Sequence, residues 1–518
     1  MKRPLLSFLL IFCGALFLSG YAQISVPEVL YLQGATAVEG CPGSEIDNAI
    51  KIWSNSPQNL TVTRTFYTGA DCEGEPGSVS TFEIAPLGLI TPVILKITLP
   101  EGMRSCKFSV ASQGLNTDVC IPFTVKPVPT RLYVNAGATG ANTGLTWTDA
   151  FTDLQSALNY SCSGNLTEIW VAKGTYKPTT GSDRSISFVM KNGVAIYGGF
   201  SGNGSETQLS HRNWRTNATI LSGDINTQGV DTDNTYRVIN NNFTAGSPLN
   251  NTAVLDGFIV EKGYANGGFP LNLGGGMWNA YASPKISNCI FTNNHSDVFG
   301  GAILNFNGAN GVITNCIFTG NSSTFGRAVA NYESGPTYTN CSFVANLNGF
   351  SAIQNIGSPA PTYINCISWG NGEEIANSNS SPVVRNSIIQ GGYTPCTNCP
   401  NGNGNADPLF VNAAGGDFRL QPCSPAINAG DPATTSAMVG NVDLAGNPRF
   451  FNNGRVDIGA YEYQSTQPVA ITPIVTPTNP TTCGGTNGSI SLSGFLNNTT
   501  YSVAYKKDNN AVAAANFT

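Results

Sequence analysis

The sequence predicts an all-β chain organised around a β-solenoid at residues 274–391. Three observations predict it. First, a two-part unit recurs five times. Its first half reads Gly276-Met277-Trp278-Asn279, Ala302-Ile303-Leu304-Asn305, Ala328-Val329-Ala330-Asn331, Ala352-Ile353-Gln354-Asn355 and Glu374-Ile375-Ala376-Asn377. Its second half runs from Asn288-Cys289-Ile290-Phe291 to Asn386-Ser387-Ile388-Ile389. Second, the period is short and regular: 27 residues from Cys289 to Cys316, then 25 to Cys341 and 25 to Cys366. A period in the twenties marks a solenoid. Third, the apolar runs are two to four residues long, β-branched or aromatic, and punctuated by Gly and Asn. No helical periodicity survives across them.

Stacking the coils at one strand spacing, about 4.8 Å, puts equivalent residues in columns. Met277, Ile303, Val329, Ile353 and Ile375 make one apolar column, and Ile286, Ile313, Tyr338, Tyr363 and Val384 a second. Cys289, Cys316, Cys341, Cys366 and Ser387 make a third, of small side chains. All three are expected inside. Two Asn columns, Asn279 to Asn377 and Asn288 to Asn386, are expected at bends. There amides can bond from coil to coil, and Asn tolerates the left-handed backbone.

On these units the stretch resembles the right-handed parallel β-helix of the pectin-lyase-like superfamily. More closely, it is similar to secreted Bacteroidota surface proteins built on that helix. The resemblance covers about residues 131–463. It speaks to fold more than to activity, because this fold hosts many functions.

From the start of the chain, residues 1–22 read as an export signal. Lys2 and Arg3 give the charged end, Leu5 to Leu18 the apolar core, and Gly20-Tyr21-Ala22 a small-x-small cleavage site,. The apolar run is short for a membrane anchor, and no other stretch is apolar enough to span a bilayer. Residues 24–129 read as an Ig-like β-sandwich, with alternating runs such as Leu60-Val62-Arg64-Phe66 and Val93-Leu95-Ile97-Leu99,. Cys41, Cys72, Cys106 and Cys120 lie here, an even number that suggests two disulfides in an exported module. Of three pairings, Cys41–Cys72 and Cys106–Cys120 are favoured by proximity in sequence, which leaves Cys162 without a partner. Residues 131–405 then form the β-helix. An amphipathic helix at 149–159, with Thr148 as its N-cap, is expected to plug the first coil, since an open solenoid end leaves strand edges unpaired.

Residues 406–464 close the solenoid. Asp407-Pro408-Leu409-Phe410, Ser424-Pro425-Ala426-Ile427-Asn428-Ala429-Gly430-Asp431 and Val456-Asp457-Ile458-Gly459-Ala460-Tyr461-Glu462-Tyr463 are similar, in order, to the choice-of-anchor module of such exported proteins. The segment is expected to turn off the coil axis and cover the last rung. Residues 465–482 are a Thr/Pro-rich linker,. Residues 483–518, opening with Cys483-Gly484-Gly485-Thr486-Asn487-Gly488, resemble the start of an adhesin-type Ig-like repeat.

Composition excludes some partners. Only 11% of residues are charged and the net charge is −6. That gives no basic footprint for nucleic acid and no cationic face for anionic lipid. Lyases and hydrolases on this fold need carboxylates clustered with a basic residue or a His. Along the coils Asp297, Glu333, Glu373 and Glu374 and the bases Lys285, Arg327 and Arg385 rarely share a column, and His211 and His295 follow no hydrolase motif. The sequence therefore leans away from an enzyme. Arg327 with Glu333 reads as an exposed ion pair, and Glu373-Glu374 as a solvated loop. Asp224-x-Asn226-x-Gln228-Gly229 with Asp231 and Asp233 supplies oxygens for structural calcium, although Thr235 stands where an EF-hand has its bidentate Glu,. No organic cofactor is expected. Cys396-x-x-Cys399 lacks a βαβ context, and a disulfide within it or to Cys423 is the expectation. Tyr281, Phe306 and Tyr332 follow the first Asn column, and with Trp278 and Trp369 they are candidates for stacking sugars.

These readings converge on a secreted protein of the outer cell surface that adheres or displays without catalysis. Its expected partners are extracellular glycans, a host or neighbouring surface, and the export machinery. The resemblance implies type IX export. The alternative is a polysaccharide lyase or glycoside hydrolase with its site on a face of the β-helix.

Overall fold

The computed structural model describes residues 30–34, 38–42, 44–54, 58–86, 93–112, 115–393, 403–465, 474–478, 489–493, 501–507 and 510–517. The expected export signal, Cys396, Cys399 and Cys483 lie outside the described residues. The chain divides into two compact units, one of residues 1–129 with 161–165, the other of 130–160 with 166–518.

The first unit holds two sheets. Leu30–Gly34, Glu45–Ser54 and Val93–Thr98 form one; Val38–Gly40, Leu115–Val125, Ser105–Ser112, Leu60–Tyr67 and Pro76–Ile84 form the other, in that order. Side chains from both, including Ile50, Ile52, Val62, Phe108 and Ile121, share one hydrophobic cluster. The alternating runs read from the sequence are its strands.

The disulfides correct the expected pairing. They are Cys72–Cys120 and Cys41–Cys162, with Cα atoms 5.9 Å and 5.4 Å apart. Strand alternation explains why Cys106 does not pair with Cys120. Cys106 stands opposite Ile121, whereas Cys120 stands opposite Lys107. Successive side chains point to opposite faces, so Cys106 is buried in the core and Cys120 is exposed on the other side. Cys106 stays a free thiol, and burial pushes its pKa up to about 12. Cys162 lies in the 161–165 excursion that belongs to this unit, where sequence proximity could not show Cys41 as its partner. Cys423 is free and exposed.

The second unit is a stack of parallel strands, coil upon coil, of the kind a parallel β-helix has. Three long sheets of nine, eight and six strands run its length, with a short three-stranded sheet at one corner. One coil contributes Met277–Ala280, Lys285–Ser287 and Ile290–Thr292 to the three long sheets and His295–Phe299 to the short one. The expected columns stand in register: Met277, Ile303, Val329, Ile353 and Ile375 in one sheet, and Ile286, Ile313, Tyr338, Tyr363 and Val384 in the next. Cys289, Cys316, Cys341 and Cys366 are buried between them, each thiol donating to the carbonyl two residues earlier at 3.1–3.4 Å. Two further columns were missed. Phe291, Phe318 and Phe343 stack with centroids 5.3 Å and 4.8 Å apart. Asn294, Asn321, Asn346 and Asn371 form a third amide column, each side chain bonded to the next Asn.

The first Asn column is not at a bend. Asn279, Asn305, Asn331, Asn355 and Asn377 sit within strands, and each Nδ2 donates to the next Oδ1 at 2.9–3.0 Å. The Tyr338 and Tyr363 hydroxyls bond into this ladder from the facing sheet. A buried amide needs all its partners, and here the neighbouring coils and the tyrosines supply them. The second column is at a bend: Asn288, Asn315, Asn340, Asn365 and Asn386 all have φ between 48° and 53°.

The helix is shorter than expected, Leu154–Leu158, and Asp153 caps it by accepting from the Ser156 N–H at 2.7 Å. The preceding residues are diverted. Asp149 accepts from Ala141 N–H, and Phe151 exchanges backbone bonds with Tyr133 and Asn135, extending the sheet instead of the helix. Leu154, Ala157 and Leu158 join the solenoid core.

Residues 406–464 do not simply cover the last rung. Gly404 bridges Ile388, and the Asn403 side chain bonds Ser387 and Val384, adding part of one more coil. The chain then runs back along the outside. Phe410, Phe418, Leu420, Leu444 and Ile458 pack on the outward residues Ile317, Ile367 and Ile388 of the eight-stranded sheet. Trp214 donates its indole N–H to Leu444 O at 2.7 Å, 230 residues away in sequence. Each large apolar side chain so buried is worth roughly 1.5–3 kcal/mol. Apolar burial therefore outweighs the individual hydrogen bonds of this seam, at about 1 kcal/mol each. The segment braces several coils from the side.

Candidate functional site

The brace meets the second Asn column along the bend. Asn315 Nδ2 donates to Val439 O (2.8 Å), Asn340 Nδ2 to Asp457 O (2.7 Å), and Asn365 Nδ2 to Thr434 Oγ1 (2.9 Å). At the centre lies Arg449, fully buried. It donates to Asn315 Oδ1 (2.9 Å), Ala460 O (2.7 Å) and Gly459 O (3.3 Å) and lies 3.6 Å from the Glu462 carboxylate. Burial pushes the Asp457 and Glu462 carboxyls up. This cluster joins one part of the chain to another, and its groups are engaged in that contact.

The sugar-stacking candidates do not form one strip. Phe306 and Tyr332 share a column with rings 5.2 Å apart. Tyr281 is one position further on. It aligns with Asn307 and Glu333, and all three have φ of 48–49°. Trp278 is 6% exposed, with the Arg237 guanidinium over its ring at 4.4 Å. Trp369 packs against the brace. A longer aromatic column was missed: Phe299, Phe325 and Phe350, with successive centroids 5.3 Å and 5.4 Å apart. Its members recur at nearly the coil period, which is the signal that could have found it. Rings stacked on one another turn their edges to solvent. The electron-rich faces on which a sugar would rest are covered by the next rung, except at Phe350, which is 64% exposed at the end of the column.

The proposed calcium loop is bonded within itself and to a lysine. Asp224 Oδ2 accepts from Lys262 Nζ at 2.7 Å and from Gly229 N–H at 3.0 Å. Asp233 accepts from Asn226 Nδ2 and Thr227 N–H, and Asp231 is exposed. Among the described residues, no three His, Cys, Asp or Glu side chains are grouped to hold a metal ion.

Four charged residues of the regular coils, Arg327, Glu374, Arg385 and His295, have local partners, whereas Lys285, Glu333 and Glu373 are exposed. Arg327 does not pair with Glu333 at the surface. It is buried and donates to Gly349 O and Glu373 O. Glu374 is not solvated: it is buried, accepting from Ser368 Oγ, Asn371 N–H and Asn371 Nδ2. Arg385 pairs with Asp431 at 3.1 Å. His295 bonds Asp297 and Ser322 and stacks on Tyr264. Cys289, Cys316, Cys341 and Cys366 are all fully buried, out of reach of a redox partner, which fits packing rather than redox chemistry,.

Among the described residues no helix is long and apolar enough to cross a membrane. The two disulfides fit an oxidising compartment,. No protein-family model matches this chain, and no curated protein matches it in sequence.

Proposed function

We propose that this is an exported cell-surface protein that adheres or displays without catalysis, with extracellular glycans as its partners. In this reading the stacked sheets are a right-handed parallel β-helix of the pectin-lyase-like kind, plugged at its start by the Leu154–Leu158 helix. Residues 24–129 are an Ig-like sandwich, 406–464 a choice-of-anchor-type segment, and 483–518 the start of an adhesin-type Ig-like repeat. The observation that supports the non-catalytic reading is the fate of the charged side chains on the regular coils. Arg327, Arg385, Glu374 and His295 are each held by a neighbour in the fold, so their placement answers to stacking and not to a substrate. A catalytic acid or base must instead reach the proton it transfers.

The test is a glycan array probed with the full chain, run beside a polyuronate-cleavage assay. Retention on glycans without turnover is the expected result. Release of unsaturated or shortened saccharides would overturn the non-catalytic reading, and an empty array would overturn the glycan partner.

A further inference from the structure

The seam between the solenoid and its brace encloses a cleft of about 260 Å³. Pockets for small ligands run from about 300 to 1,000 Å³, so this one suits a single ring and not a chain. It is lined by Trp214, Tyr461, Ile290, Arg215, Arg419 and Asp417, among others. The two aromatic rings come from parts of the chain far apart in sequence, and only the return of the brace along the solenoid brings them together.

The Trp214 ring is held in place. Its indole N–H is bonded to Leu444 O, and the Arg212 guanidinium lies over the ring at 4.8 Å, itself paired with Asp256 at 2.7 Å. A ligand would therefore meet the opposite face of the ring. Tyr461 is partly buried, and its hydroxyl has no hydrogen-bond partner among the described residues. The charges are unbalanced. Asp417 is engaged by Arg419 through two contacts, one of them Nε to Oδ1 at 2.8 Å. Arg215 is exposed and has no carboxylate within ion-pair distance among the described residues. Arg215 nevertheless lies close enough to help hold the Asp417 carboxyl below its usual range, after Arg419, whose hydrogen bond is the main cause. Two guanidinium groups and one carboxylate leave the cleft cationic on a chain whose net charge is −6. A guanidinium fork matches the oxyanion of a carboxylate or sulfate.

We propose that this cleft binds one sugar residue carrying a carboxylate or sulfate, with its ring against Trp214, its hydroxyls near the Tyr461 hydroxyl, and its anionic group at Arg215. The proposal rests on the glycan partner proposed above and places it at the seam, away from the aromatic columns of the coils.

Calorimetric titration of the full chain with glucuronate, galactose 6-sulfate, glucose, galactose and inorganic sulfate tests it. One anionic sugar should bind, at one site per chain, at least about tenfold tighter than its neutral counterpart. Arg215→Gln alters an exposed side chain and should weaken that binding about tenfold. Tyr461→Phe should weaken it several-fold while the melting temperature holds. The proposal falls if neither anionic sugar binds at millimolar concentration, if inorganic sulfate binds as tightly as the sulfated sugar, or if Arg215→Gln changes nothing. Glycan-array retention of Arg215→Gln separates the two readings. If retention persists while no anionic sugar binds, the cleft is wrong and the glycan partner stands. If the anionic sugar binds but the array stays empty, the cleft stands and the adhesive reading falls.

Discussion

Replacing Arg449 by Met asks whether a buried cation holds the brace to the coils. Met keeps much of the stem volume and removes the charge with its donors. Ala460 O and Gly459 O retain other donors, Leu444 N–H and Asn340 Nδ2. Asn315 Oδ1 loses its hydrogen bond from Arg449, and Glu462 loses its cation. An orphaned buried acceptor costs about 1–3 kcal/mol, and breaking a buried ion pair about 3–5 kcal/mol. The second figure is an upper bound here, because Glu462 can neutralise itself by binding a proton. With the lower end of each range, the two give about 4 kcal/mol at alkaline pH, where proton uptake by Glu462 helps least, or nearly a thousandfold in an opening equilibrium.

The pH dependence has a definite sign. Burial raises Asp457 to about 6 and Glu462 to about 8, above their unfolded values. The folded brace therefore binds more protons than the open one, so its stability is greatest in acid and is lost as pH rises through about 6 to about 8. The Arg449→Met penalty should shrink on acidification for the same reason. Hydrogen exchange at Asp457 and Tyr463, whose amides bond the Glu462 and Asp457 carboxylates, gives the measurement, referenced to intrinsic rates at each pH. A change below about fivefold in the variant would refute the reasoning. So would equal acceleration at Asn305 and Asn331 in the coils, since the brace would then not open on its own.

Two further predictions concern the interior. Asn331→Leu removes four side-chain hydrogen bonds and leaves an Asn305 N–H and the Tyr338 hydroxyl proton without acceptors. It should destabilise the solenoid by about 3 kcal/mol in urea unfolding, whereas Asn377→Leu, at the exposed end of the ladder, should cost about 1 kcal/mol. Equal effects would mean that the ladder does not act as a buried network. Alkylation of the native protein should label Cys423 and spare Cys106, Cys289, Cys316, Cys341 and Cys366. In denaturant those five should react without reductant, and Cys41, Cys72, Cys120 and Cys162 only after reduction; mass mapping that links Cys106 to Cys120 would contradict the strand register.

What could be read from the sequence was whatever stacking repeats. Met277, Ile286 and Cys289 recur at the coil period with their chemistry kept, so their columns and the parallel sheets followed. Asn294 recurs just as regularly, but with its flanking residues varied, and its column went unnoticed. The inward place of Asn279 was hidden for a different reason. Its column is completed by Tyr338 and Tyr363 of the facing sheet, which bond Asn305, Asn331 and Asn355, and without them a buried amide looks too costly. The brace was legible as a segment and illegible as a location. Nothing in Val456-Asp457-Ile458 says that it will lie against Asn340, because that contact depends on how far back the chain travels after Gly404. Cys41–Cys162 was hidden likewise, since proximity in sequence says nothing about an excursion of five residues, 161–165.

The same distinction bears on where function can sit. In the coils, each position is copied from rung to rung, and a side chain there must first fit its copies. Phe299, Phe325 and Phe350 show the consequence: stacking on each other covers the faces a ligand would use. A unique chemical environment needs a place where the repeat is interrupted by chain of different origin. The side seam is such a place. Trp214 comes from the irregular early coils, Arg419 and Tyr461 from the brace, and none has an equivalent on the next rung. If Arg215→Gln leaves anionic-sugar binding intact, the seam is not the site, and Phe350, exposed at the end of its stacked column, becomes the candidate.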